Sequence, residues 1–122
     1  MRKITYEAAK SLLACRAFSS GNTTVAVNEL DNERYSEMRL HGNRIARYFP
    51  STHRLVVWDC GWQTPTAIDR LNGILRVADL NVSLWQENYE WYYTLDGENY
   101  IWGGFETFST RKPEPAAELV AA

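Results

Sequence analysis

The sequence predicts an α+β fold in the order α-ββββ-α-βββ, an antiparallel sheet with two helices packed on one face. Three observations carry that expectation. Apolar residues recur at helical spacing near residues 5–17 and again after Thr64-Pro65. Alternating runs rich in Val, Tyr and Trp fill most of the remaining chain. Short pairs containing Gly, Asn or Asp separate those runs, as hairpin turns would.

In chain order, residues 5–17 read as an amphipathic helix with Thr5 as its N-cap and Ala8, Leu12 and Cys15 on the buried side. Gly21-Asn22 breaks that pattern. Residues 23–29 alternate, with Thr23, Val25 and Val27 on one face, and Asp31-Asn32 turns the chain. Residues 34–40 form the next strand, and His41-Gly42-Asn43 connects it to a third at residues 45–49. Residues 54–59 make a fourth.

Thr64 as cap and Pro65 at the first helical position mark the second helix, with Ile68, Leu71 and Leu75 inward and Asn72-Gly73 as its expected end. Strands follow at 81–86, 89–95 and 99–102, with Asp96-Gly97 as a type I′ turn, and 105–108 reads as a final edge segment. Length and the apolar fraction of 45% suit a single domain, residues 1–110. Residues 111–122 read as a disordered tail, and its ending Glu118-Leu119-Val120-Ala121-Ala122 is similar to bacterial degradation tags.

Charge and composition narrow the function. The net charge of −2 argues against a general affinity for nucleic acid or anionic membrane. Two cysteines far apart in sequence fit a reducing cytosol better than a disulfide scaffold. No apolar run approaches the roughly 20 residues of a membrane span. The histidines and cysteines show no metal-ligand spacing, so neither a metal nor another cofactor is expected.

Four groups of residues invite a chemical reading. Cys60 precedes a helix start, where a thiol can be activated, with His41 or His53 as base; a small packed residue explains it better. Trp62, Thr64, Thr66 and Arg70 suggest a site for a phosphorylated ligand such as a small nucleotide. Nine of the sixteen aromatic residues lie between Trp85 and Phe108, a stretch with five acidic residues and no Lys or Arg, which disfavours a nucleic-acid platform. Of these, Tyr92 together with Tyr100 or Trp102 is expected to face a protein partner or a second copy in a homodimer. Arg39, Arg44 and Arg47, with Arg34 and Arg54 nearby, form a basic middle suited to an anionic partner.

Gly21-Asn22-Thr23-Thr24-Val25, Leu40 to Ala46, and Cys60-Gly61-Trp62-Gln63-Thr64-Pro65-Thr66 with Arg70-Leu71-Asn72-Gly73 occur in an order that resembles a family of small proteins encoded by tailed bacteriophages. The likeness covers roughly residues 3–102, with Ala67 standing where a third threonine is expected. It implies a phage origin and action in the host bacterial cytoplasm, and brings no catalytic residue. The resulting expectation is a non-enzymatic accessory protein that binds and inhibits a host protein or defence factor. The alternative is a protein that sequesters a small phosphorylated signal molecule.

Overall fold

The computed structural model describes residues 1–111. The expected tail beyond Arg111 and the degradation-tag reading of residues 118–122 lie outside the described residues. The fold is α+β, with two helices and nine strands in two antiparallel sheets. Helix α1 (Lys3–Leu13) precedes β1 (Phe18–Ser20), β2 (Thr23–Leu30), β3 (Glu33–Leu40), β4 (Asn43–Phe49) and β5 (Arg54–Trp58). Helix α2 (Pro65–Val77) leads to β6 (Val82–Glu87), β7 (Glu90–Leu95), β8 (Glu98–Ile101) and β9 (Phe105–Ser109). The large sheet runs β1-β2-β3-β4-β5-β9, and the small one runs β6-β7-β8.

The turns follow their sequence grammar. Asp31-Asn32, His41-Gly42 and Asp96-Gly97 each form a two-residue connection with both residues at positive φ, the type I′ geometry that matches strand twist. Gly21-Asn22 is also a hairpin turn, because Phe18–Ser20 forms a strand that the sequence reading leaves out. The turn after β6 is Asn88-Tyr89 rather than Glu87-Asn88, so Tyr89 stands at its tip instead of on a strand face.

Both helices end on a left-handed residue. Cys15 and Asp79 have φ of 50° and 58°, and the amides of Arg16 and Leu80 reach back to Ser11 and Leu75. The first helix therefore stops at Leu13, four residues short of expectation. The second runs through Asn72-Gly73 to Val77. Both residues have tertiary work in the helix interior: the Asn72 amide pairs with both backbone groups of Leu84 on the edge of β6. A Cβ at Gly73 would lie well inside van der Waals distance of Thr5 Cγ2, so Gly73 lets α1 approach α2.

Thr64 caps α2 as expected, accepting from the Ala67 amide at 3.1 Å. Thr5 does not cap α1, which begins two residues earlier; it is a buried helix residue whose hydroxyl donates to Asp69. Ala8, Ala9 and Leu12 of α1 and Leu71, Ile74 and Leu75 of α2 share one core with Val25, Met38, Ala46, Leu55 and Val57 of the large sheet. The small sheet extends that core through Leu84, Trp91 and Trp102. Its Trp102 Nε1 donates to the buried carboxylate of Asp59 at 3.0 Å, tying the two sheets together.

Gly73→Ala should therefore destabilise the fold by about 1–3 kcal/mol, the cost of an overpacked contact. Thr5→Ser removes the opposing methyl while keeping the hydroxyl, so the double variant should recover most of the loss in urea denaturation.

Candidate functional site: an arginine-covered sheet face

Among the described residues, the helices cover one face of the large sheet and none covers the other. Register places three rows on that open face. Ala26, Glu37, Arg47, Val56 and Thr107 stand opposite one another across five strands. To one side lie Asn28 with Tyr35, and Phe49 with Arg54 and Ser109. To the other lie Thr24, Arg39 and Arg44, and Trp58 with Phe105. A bulge after Met38 absorbs Ile45 into the core and turns Arg44 outward beside Arg39.

Each of three arginines lies over an aromatic ring on a neighbouring strand. The Arg44 guanidinium carbon is 4.0 Å from the Trp58 ring centre, and those of Arg47 and Arg54 are each 4.3 Å from the rings of Tyr35 and Phe49. Such stacks contribute roughly 0.5–1 kcal/mol apiece at exposed sites. Their larger effect is on order, because a stacked guanidinium has already given up much of its rotamer freedom.

Glu37 sits beneath this array with its side chain only 6% exposed. Arg47 reaches Glu37 Oε1 at 2.6 Å and Arg39 reaches Oε2 at 2.8 Å. Burial pushes the Glu37 carboxyl up, but the hydrogen bonds and charges of Arg47 and Arg39 outweigh it and hold the group below its ordinary value. Arg39, Arg44 and Arg47 are thus brought onto one face, joined by Arg54. Tyr35 lies on it, and Phe49, Trp58 and the exposed Phe105, which the sequence reading does not place there, complete the surface. Strict alternation around the two-residue turns would have placed most of them. Arg34 stands apart, donating to the Cys15 carbonyl at the end of α1.

The aromatic residues expected at an interface do not share a surface. Tyr92 lies on the outer face of the small sheet, stacked on Trp85 at 4.7 Å and opposite Ile101. Tyr100 lies on the other face, stacked on Tyr93 at 5.2 Å, and Trp102 is buried against Trp91. The physical reason is register. A two-residue turn at Asp96-Gly97 pairs Leu95 with Glu98, which puts Ile101 rather than Tyr100 beside Tyr92. Hydrogen bonds to Glu90 and Glu98 push the Tyr92 and Tyr100 phenols up, so both remain protonated donors at neutral pH.

The residues grouped for a phosphorylated ligand are also separated. Arg70 is 2% exposed and points inward, donating to Thr23 at 3.0 Å, Thr5 at 2.6 Å, Asp69 at 2.7 Å and Asn22 at 3.4 Å. Its cation is spent on the fold. Trp62 and Thr64 do line one cavity, whose lining includes no Lys or Arg, while half-buried Thr66 is outside that lining.

Cys60 is exposed, yet its Sγ–H donates to the Arg44 carbonyl, and partial burial pushes the thiol up, away from the reactive thiolate. His41 occupies a hairpin turn and His53 the loop before β5. Among the described residues no three His, Cys, Asp or Glu side chains come together as metal ligands. Among them, too, no helix is long and apolar enough to cross a membrane.

A protein-family model described as Kyanoviridae Gp96 protein matches residues 1–111 of the chain. The comparison with curated proteins and the comparison with solved structures each give no match.

Because Glu37 titrates below its ordinary value of 4.5, its stabilisation is present above that pH and is lost as pH falls through the folded-state value. Glu37→Gln should flatten that part of the stability–pH curve. It should also cost about 1–3 kcal/mol at neutral pH in urea denaturation.

Proposed function

The chain belongs to the Kyanoviridae Gp96 protein family, a family of tailed-phage proteins, and from that premise we propose that it is a non-enzymatic accessory protein that binds and inhibits a host bacterial protein in the host cytoplasm. The observation that carries this reading is the open sheet face bearing Arg39, Arg44, Arg47 and Arg54, three of them pre-stacked on aromatic rings. Arginine and large aromatic residues dominate binding energy at protein interfaces, and ordering them beforehand lowers the entropic cost of association. The chemistry fits an acidic surface on the partner.

A single nucleic-acid strand is the less suitable occupant. Three of the rings already carry a guanidinium, which competes with a base for that ring face, and the buried Glu37 carboxylate lies in the middle of the patch. The non-enzymatic part of the proposal is supported by the engaged thiol of Cys60 and its upward shift.

Arg44→Glu combined with Arg54→Glu tests the face without touching the two arginines that hold Glu37. The double variant should fold normally and lose at least about tenfold in affinity for the acidic host protein retained by the wild type, together with the wild type's inhibitory effect on the host. Cys60→Ala should keep both. Undiminished binding by the double variant, or retention of nucleic acid alone, would overturn the reading.

A further inference from the structure

The cavity at the start of α2 is chemically distinct from the arginine face. Its volume is about 230 Å³, below the roughly 300–1,000 Å³ of sites that enclose drug-sized ligands. It suits one flat ring system rather than a whole nucleotide. Leu40, Ile45 and Ala67 are buried and give it an apolar floor.

Trp62 forms a wall. The backbone there is fixed, with the Trp62 amide bonded to the Asp59 carbonyl at 2.9 Å and its carbonyl accepting from Thr64 at 3.1 Å. Trp62 is 61% exposed, a large apolar surface held beside the apolar slot. Stacking on a ring in that slot would withdraw it from water.

The rim supplies hydrogen-bonding groups that the fold has not used. Among the described residues the Asn43 side-chain amide has no hydrogen-bond partner, and the His41 ring has only a 3.5 Å contact with Asn22 Nδ2. Thr64 is already committed to capping. With Arg70 turned inward, the cavity lining carries no Lys or Arg to pair with a negative charge.

We propose that this cavity binds a neutral, planar heteroaromatic ring of the nucleobase class, stacked on Trp62, seated on Leu40, Ile45 and Ala67, and read along one edge by Asn43 and His41. The sugar of a nucleoside would remain outside. This inference is independent of the arginine face and of the host-protein reading.

The test is methyl NMR of the full chain titrated with the four common ribonucleosides, their 5′-monophosphates, and indole as a ring without the matching edge. At least one nucleoside should produce saturable shifts at the Ile45, Leu40 and Ala67 methyls, with its monophosphate binding no more tightly. Trp62→Ala replaces an exposed side chain, so its methyl spectrum should report an intact fold, and it should weaken binding about tenfold. Asn43→Ala should bring the nucleoside and indole affinities together.

Absence of shifts at millimolar nucleoside, or binding unchanged in Trp62→Ala, overturns the site. Equal wild-type affinity for indole overturns the edge recognition. Markedly tighter monophosphate binding overturns the assignment of a neutral ligand.

Discussion

The guanidinium of Arg70 holds together parts of the chain that are far apart in sequence. From the inner side of α2 it reaches Thr5 of α1, Thr23 of β2 and Asn22 of the first hairpin turn, with Asp69 supplying the countercharge. The two threonines each pass a hydrogen bond onward, Thr5 to Asp69 and Thr23 to Asn22, so the network closes on itself. A cation this deeply buried is tolerated only when it is paired and its donors are satisfied. That requirement fixes α1 beside α2, and the closeness of the crossing is why residue 73 carries no side chain. With both helices tied together on one side of the large sheet, the other side is left uncovered by any helix of the described residues, and there the arginines are displayed.

The parts of the fold legible in the sequence are those set by local chemistry. Alternation and type I′ turn pairs locate most of the strands, and Thr64-Pro65 marks the start of α2 because cap and φ preference act within a few residues. Asn72-Gly73 misleads for the opposite reason. The dipeptide has the composition of a helix stop, but its role depends on Leu84 and Thr5, which no local pattern brings near it. The true stop is Asp79, an αL position that composition marks only weakly.

Arg70 was partly readable. Ala67, Arg70, Leu71 and Ile74 fall at the 3–4 spacing of one helix face, and all four are buried. The charge argues for solvent; Asp69 beside it supplies the countercharge, but the Thr23 and Thr5 hydroxyls that satisfy its other donors lie 47 and 65 residues away. The small sheet teaches a related lesson. Turn length alone sets which residue stands opposite Tyr92, whereas the interface preference for Tyr and Trp favours Tyr100 and Trp102 over Ile101, which is 75% exposed. The arginine–aromatic pairs required register on both of their strands, including the bulge at Met38, so the basic cluster was visible before most of its rings were.

The end of the β3–β4 hairpin serves both surfaces through strand alternation. Arg39 and Arg44 project to the open face, while their neighbours Leu40 and Asn43 line the cavity on the side of α2. The turn between them, His41-Gly42, is held in left-handed geometry, and the His41 amide is bonded to the Asn22 carbonyl at 2.8 Å. Asn22 in turn accepts from Arg70. The buried network is therefore connected, through one turn, to the boundary between a cationic face suited to an acidic partner and a neutral slot suited to a ring. A shift of one residue in that hairpin would exchange the two sets of side chains, placing Leu40 in solvent and Arg39 against the core. The same constraint that specifies the fold thus keeps the two surfaces chemically separate.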